Sequence, residues 1–504
     1  VLVTGLTFVS LVLGFVRDVV IGAVFGAGAG LDAYFAAQGL MNIVVAFVAG
    51  AMARAVLPVT SRESAEESEC RGHRGFDTAF SVTLLVLGIG GVLMAIFAGP
   101  VTTVIAPGFD GPQAELTADL ARILLVATVL IAGTNLLAAL AQSHGRFGWS
   151  ALEGVPFNIV MIAAAGLFGP HYGISAVAIG FVIGSAGRLL IQLPPLRAAR
   201  VRIRPRVSLS DPGFREIARL MPPMLIGSGI GSVNTMVDRA VGSTLEPGAI
   251  TALSYAWRLV NLPETLVVAS LLVPLYPALS AAASDRAEIR RLVGRGLSII
   301  VTLLVPLCLA LAVAAGPIVD VIFGHGAFDA EAVELTSRAV VWYVPALLAL
   351  GCRQLIVRAS YAVGDSRTPV TIALLAMGLN AVGNVVLAPA LGVAGIALAT
   401  SVSIGVAAVL NAWLLHRKHQ AVALRSMVGL GSRALVLAIV ALVAALTVRS
   451  LLAGSPALVE GVGAAAAAGG VYTLGLVMLR APELSVALDA LARGVRRRRR
   501  RSEG

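Results

Sequence analysis

Two arginines stand where few arginines are found. Arg17 lies inside one long apolar run, in Gly14-Phe15-Val16-Arg17-Asp18. Arg258 lies inside another, in Ser254-Tyr255-Ala256-Trp257-Arg258-Leu259, with no carboxylate within four residues. An ionisable side chain at the centre of a membrane helix costs about 2.5–3.5 kcal/mol on insertion scales, so it faces a bundle interior or a watery cavity. The planar fork of guanidinium donors matches a phosphate or diphosphate. Anion binding is therefore the chemistry these positions suggest. Asp32, Asn42, Asp238 and Arg239 are the other polar residues in apolar runs that we take as candidate substrate-binding positions, with Asp32 and Asp238 expected to hold arginines while no anion is present. Other charges read more plainly. Asp119 and Arg122 are spaced for a local helix pair, and Arg54 and Arg188 lie near segment ends where long side chains snorkel. Arg353, Arg358 and Glu264 complete the set within the spans.

The same inventory argues against catalysis. No Gly-rich loop is followed by Lys and Ser or Thr, so there is no nucleotide-binding signature. No Ser/His/Asp set, zinc spacing or paired carboxylate stands out, and the six histidines lie mostly in loops. Cys70, Cys308 and Cys352 show neither metal-ligand nor disulfide spacing. The expectation is a non-enzyme with no cofactor and no metal. The net charge of +11 comes almost wholly from arginine, with Lys418 the single lysine. Its placement in loops argues for membrane topology and not for nucleic acid.

The elements that must position these residues are membrane helices. Of 504 residues, 58% are hydrophobic and only 13% charged, against about 25% charged in soluble domains. About fourteen apolar segments approach the roughly 20 residues a bilayer requires, near 1–27, 32–59, 76–104, 117–142, 149–168, 173–195, 217–243, 248–282, 295–322, 334–361, 368–389, 393–416, 428–449 and 456–479. Ser10, Gly14, Asp18, Gly22 and Gly26 fall four apart in the first, a stripe of small or polar residues along which another helix can approach closely. Arginine fills alternate loops, at Arg62, Arg71, Arg146, Arg197, Arg204, Arg290, Arg367 and Arg425 among others, whereas Pro107 to Asp110, Gly169 to His171 and Gly324 to Gly326 carry none. By the positive-inside rule both termini are cytoplasmic. The tail, Arg496 to Arg501, reads as a basic anchor for anionic headgroups, and the first apolar run, which continues into a charged, glycine-rich span, is not expected to be a cleavable signal peptide.

The halves echo each other at a spacing of about 220 residues. Arg17-Asp18 finds Asp238-Arg239. Arg146, Asn158 and Gly173-Ile174-Ser175-Ala176 find Arg367, Asn380 and Gly395-Ile396-Ala397. An even number of spans separates the copies, so the repeat is parallel, as in carriers that alternate access between two lobes. The expected fold is an all-α polytopic membrane protein. It comprises a six-helix lobe over 1–200, a second over 210–420, two extra helices over 428–480 and a basic cytoplasmic tail over 481–504.

Several of these motifs resemble the MurJ/MviN family of lipid II flippases, within the multidrug/oligosaccharidyl-lipid/polysaccharide exporter superfamily. They are Gly14 to Asp18, Phe25-Gly26-Ala27-Gly28, Asp32-Ala33-Tyr34-Phe35 with Asn42, Leu253 to Leu259, Pro274 to Ser280, and Tyr361 to Pro369. The resemblance implies a flippase of the bacterial plasma (inner) membrane. It would move undecaprenyl-diphosphate-linked peptidoglycan precursor outward, with a polyprenyl-diphosphate-linked glycan, the bilayer and cell-wall synthesis enzymes as its partners. It places Arg17, Asp32 and Arg258 at the central cavity. The chain departs from the family pattern at Leu11, Val45 and Ala46, where basic residues are usual, and this opens the alternative of another polyprenyl-linked oligosaccharide. A cation-coupled drug exporter, expected to have about twelve spans and a carboxylate-rich cavity, and a non-transporting scaffold are weaker alternatives.

Overall fold

A backbone in lipid has no water to satisfy its polar groups, so a chain of mean hydropathy +0.91 must close its hydrogen bonds within each segment as helix. The computed structural model describes residues 2–65, 74–198 and 203–481, whose regular structure is all helix, with no strand among them. Cys70, Arg71 and the basic tail lie outside the described residues. Thirteen helices are long and apolar enough to cross a membrane. The segment expected at 217–243 is a further continuous helix, Pro212–Gly242. Its 31 residues span about 46 Å at 1.5 Å per residue, while Pro222-Pro223, its glycines and Asp238-Arg239 lower its hydropathy.

The chain packs as two units. One comprises 1–251 with 325–329, the other 252–324 with 330–504. Pro212–Gly242, which the repeat assigns to the second half, packs in the first unit against the helices Ala29–Val44, Ala51–Ala65 and Arg74–Ile96. The core of that unit shows why: Phe214 and Ile217 are buried together with Met52, Val56, Phe76, Leu136 and Leu140. In the second unit Tyr255 and Phe323, both fully buried, stack at 4.7 Å with their planes 2° apart.

Breaks between helices fall on glycines the backbone requires. Gly173 (φ 63°) opens Ile174–Ile191 and Gly392 (φ 59°) opens Val393–His419 in the same way. The backbone thus matches Gly173 with Gly392, three residues before the Gly395 that sequence similarity selects. Gly26 and Gly248 also have positive φ. A Cβ on Gly26 would lie 2.3 Å from the Ala327 carbonyl oxygen, and one on Gly248 would lie 2.6 Å from that of Ala27. The Gly26-Ala27-Gly28 link is therefore a crossing point of backbones, tied by the Ala327 amide donating to the Ala23 carbonyl at 2.8 Å.

Candidate functional site

The small-residue stripe of the first helix, Leu2–Phe25, does what its spacing implies. Gly14 lies against Asn158, and the absent Cβ of Gly154 leaves room for the Ser10 hydroxyl. This close approach builds a polar clamp. Arg17 Nε and Nη2 donate to Asp18 Oδ1 at 3.0 and 2.9 Å, and Nη1 donates to Asn158 Oδ1 at 3.0 Å. Asn158 in turn donates to the Ser10 carbonyl at 3.0 Å. The Phe157 ring lies 5.7 Å from the Arg17 guanidinium carbon. The clamp is largely out of solvent, with side-chain exposures of 16% for Arg17 and 6% for Asp18. Burial strengthens each bond and fixes the direction of the fork.

Asp32 has different partners from those its sequence context suggested. Its Oδ2 accepts from the Gly248 amide at 2.7 Å, and its Oδ1 accepts from the Thr251 amide at 2.7 Å and hydroxyl at 2.6 Å. It does not hold an arginine. It caps the N-terminal end of Ala249–Ala281, the helix that carries Arg258, where orphan amides and the helix dipole favour a carboxylate. Gly248 must be glycine for this, because its positive φ and the close Ala27 carbonyl aim its amide at Asp32.

Arg239 and Asn42 meet at a cavity of about 280 Å³ in the first unit, lined by Gly39, Asn42, Val45, Ala46, Gly231, Ser232, Thr235 and Arg239. The wall at Val45 and Ala46 belongs to a six-residue π-helical turn, Val45–Gly50, a feature common at functional sites. Phe47 of that turn packs onto Gly229. Asp238 and Tyr34 both act electrostatically on Arg239, and Tyr34, itself buried, also feels Arg17.

Arg258 is half-buried in the second unit between aromatic anchors. Tyr255 stacks on Phe323, and Trp257 meets Tyr343 edge-on at 5.3 Å. Glu264, on the same helix, accepts from Gln354, with Arg358 and Arg353 acting on it electrostatically. Asp119 and Arg122 form the local pair their spacing suggests, whereas Arg188, expected to snorkel, pairs with Glu153, 35 residues away in sequence, at 2.8 Å. Arg54 is exposed. No cluster of metal-ligating side chains occurs among the described residues. Sequence reasoning noted Asn158 only as a repeat marker and missed Gly39, Gly248 and Thr251. An asparagine in an apolar run was the one available signal, since the others act through the chain they approach.

A family model described as lipid II flippase MurJ matches residues 21–460. The probable lipid II flippase MurJ of Vibrio cholerae serotype O1 is 32% identical over 432 residues, covering 83% of this chain and 81% of its own. The lipid II flippase MurJ of Burkholderia cenocepacia is 30% identical over 434 residues, covering 82% and 81%. Among solved structures, a lipid II flippase MurJ in an inward closed conformation shares the fold with a TM-score of 0.80 at 23% identity, over 95% of this chain and 99% of that one. An inward-facing multidrug resistance MATE family transporter of the MOP superfamily does so at 0.68 and 14% identity, over 82% and 95%. The motifs, the helical fold and these matches agree: the chain is a multi-pass membrane protein of the lipid II flippase MurJ family.

Proposed function

We propose that this chain carries lipid II, the undecaprenyl-diphosphate-linked peptidoglycan precursor, from the inner to the outer leaflet of the bacterial plasma membrane. It does so by alternating access and without covalent chemistry. The observation that carries this reading is the Arg17 guanidinium, held largely out of solvent by Asp18 and Asn158 inside the apolar helix Leu2–Phe25, in the same unit as the cavity that Arg239 and Asn42 line. Cationic forks held in a desolvated site suit a diphosphate. Arg17 is aimed by Asp18 and Asn158, so a diphosphate entering there competes with one carboxylate for the fork. Arg258, on a helix whose start Asp32 holds, is the corresponding candidate cation of the second unit. Both termini face the cytoplasm in this reading, and the exported glycan passes to cell-wall synthesis enzymes. An inside-negative potential is worth about 2.3 kcal/mol per charge per 100 mV. It drives an empty cationic carrier back inward, whereas a loaded, neutralised one moves outward at little cost in the field.

The test is complementation. The resident lipid II flippase of a bacterial host is depleted, this chain is expressed, and labelled lipid II is followed to the outer leaflet. Rescue by the chain, lost in Arg258→Ala with insertion intact, is the expected result. Correct insertion without rescue would overturn lipid II as cargo. It would favour another polyprenyl-linked oligosaccharide, the reading to which Leu11, Val45 and Ala46 point.

A further inference from the structure

One stretch of the first unit is not helical and yet is held in place. Residues 203–208 carry no regular structure, and a turn at Leu209-Ser210 precedes the helix Pro212–Gly242. Pro205 drives Arg204 before it away from the helical region. The chain then lies along the helix Arg74–Ile96. The Arg204 amide donates to Asp77 Oδ1 at 3.1 Å, and the Arg206 amide donates to Ser81 Oγ at 3.0 Å. Asp77 and Ser81 stand four apart on their helix, a rise of about 6 Å. Two residues of extended chain cover about 6.5 Å. The spacings match, so the segment runs alongside the helix, and Pro205, between the two donors, has no amide to leave unpaired. Ile203 packs on the buried cluster that includes Phe76, Phe214 and Ile217, which fixes the near end.

This strap runs into the membrane. Gly75–Ile96 is long and apolar enough to span, and Ser81 lies deeper in it than Asp77. The chain therefore descends by about one helical turn from the cytoplasmic end of that span. It then turns back, with the Asp211 amide donating to the Ser208 carbonyl at 3.0 Å. It regains the start of the span at Gly213, whose carbonyl carbon would lie 2.8 Å from a Cβ on Gly75. The tip of this excursion presents Val207 and Leu209, 61% and 60% exposed. Apolar side chains at that depth meet lipid and not bulk water. Arg204 and Arg206 on the strap, and Arg215 and Arg219 on the first turns of the following helix, are exposed as well. The nearby acids do not neutralise them: Asp77 and Asp211 accept from backbone amides, and Glu216 is half-buried.

We propose that residues 203–211 form a membrane strap. Val207 and Leu209 enter the headgroup boundary of the cytoplasmic leaflet, and Arg204 and Arg206 bind the phosphates of anionic phospholipids there. Basic side chains beside a shallow apolar pair match an anionic lipid interface, and the depth set by Ser81 favours lipid over a soluble acidic protein. The strap goes beyond the transport reading and does not depend on the cargo. Its leaflet follows from the proposed topology, whereas its contact with lipid does not.

The test uses the full-length protein in nanodiscs, on a background lacking the native cysteines, with a fluorophore on a single cysteine at position 207. Leu209→Cys repeats the measurement with Val207 intact. Spin-labelled phosphatidylglycerol and phosphatidylcholine quench the fluorophore where they touch it, and iodide quenches it from water. A fluorophore on Ser284, an exposed turn residue, is the aqueous reference. Both strap positions should be quenched by lipid and shielded from iodide relative to the reference, with phosphatidylglycerol preferred. Each arginine near an anionic surface is worth roughly a factor of five, so Arg204→Gln combined with Arg206→Gln should lower that preference about ten- to thirtyfold. Iodide access equal to the reference at both positions overturns the strap and leaves the patch to a soluble acidic partner. Lipid contact with a preference unchanged in the double arginine variant overturns the assignment of these arginines to lipid phosphates. Neither result bears on lipid II flipping, which complementation reads separately.

Discussion

Asp32→Asn is the sharpest test of how the Arg258 helix is held. The carboxylate accepts three short hydrogen bonds, two on Oδ1 from Thr251 and one on Oδ2 from the Gly248 amide. Asparagine keeps one carbonyl oxygen, which can retain the two Thr251 donors. Its amide nitrogen then faces the Gly248 N–H, so one bond is lost and two donors oppose each other. Bonds to a charged acceptor contribute about 1.5–3 kcal/mol each, and neutral ones about half as much. Losing one and halving two gives roughly 3–6 kcal/mol, close to the range of about 3–5 kcal/mol seen when one partner of a buried charged pair is removed. Thr251→Val removes only the hydroxyl bond at nearly constant volume and should cost about 1.5–2 kcal/mol. Arg258 lies two helical turns beyond Thr251, so loosening the cap blurs the position of its guanidinium, and transport should fall with stability. The assay is amide hydrogen exchange of peptides spanning Gly248 to Tyr255, alongside the melting temperature. A loss of 3 kcal/mol corresponds to about a hundredfold more frequent local opening, at roughly 1.4 kcal/mol per factor of ten. Exchange and melting unchanged in Asp32→Asn would refute the capping role.

Four further outcomes follow from the same geometry. Gly26→Ala should destabilise by about 2–5 kcal/mol, from left-handed strain and overpacking against the Ala327 carbonyl. Gly28→Ala, at an extended φ of −155° with open space around it, should cost no more than about 1 kcal/mol; comparable melting temperatures for the two would refute the crossing-point account. Asn158→Ala leaves Arg17 Nη1 and the Ser10 carbonyl without this partner, and should cost about 1–3 kcal/mol and slow flipping, read in proteoliposomes. Asp365 lies in the loop between two spans. Burial alone would raise its carboxyl, but hydrogen bonds from the Thr368 hydroxyl and amide and the nearby Lys418 ammonium outweigh this and hold it at about 2. Because its folded value lies below the unfolded one, its contribution is full above about pH 4 and is lost as pH falls through about 2. The melting-temperature gap between wild type and Asp365→Asn, present at pH 7, should therefore close over that window. Single cysteines introduced at His144 and Ser455, on a background lacking native cysteines, should label from the cytoplasmic and the outer side respectively; the reverse pattern would invert the proposed topology.

Much of the architecture was legible because membrane insertion is decided locally. Apolar length marks a span wherever it occurs, and loop arginines orient it. The one helix that falls below simple hydropathy, Pro212–Gly242, is also the one that carries Asp238 and Arg239. Its polar content and its placement at a cavity have the same cause. What sequence spacing could not supply was the identity of partners brought together by folding. Asp32 looked like a counterion for an arginine, since both types stand in apolar runs. Its actual partners are two backbone amides and a hydroxyl, and backbone donors leave no mark in a list of side chains. Gly395 was chosen as the repeat partner of Gly173 on residue identity, whereas the chain needs its positive φ at Gly392.

The departures at Val45 and Ala46 make the same point about the site. Read along one helix, they remove positive charge from the first unit. In the folded chain both residues line the cavity that Arg239 borders from the facing helix, so the wall that lacks a cation lies opposite the wall that has one. Electrostatics at a cavity depends on distance to the guest and not on the order of residues along the chain. A charge missing at one position can therefore be supplied from another helix, provided that helix can approach closely, and Gly39 and Gly229 are the residues that permit the approach.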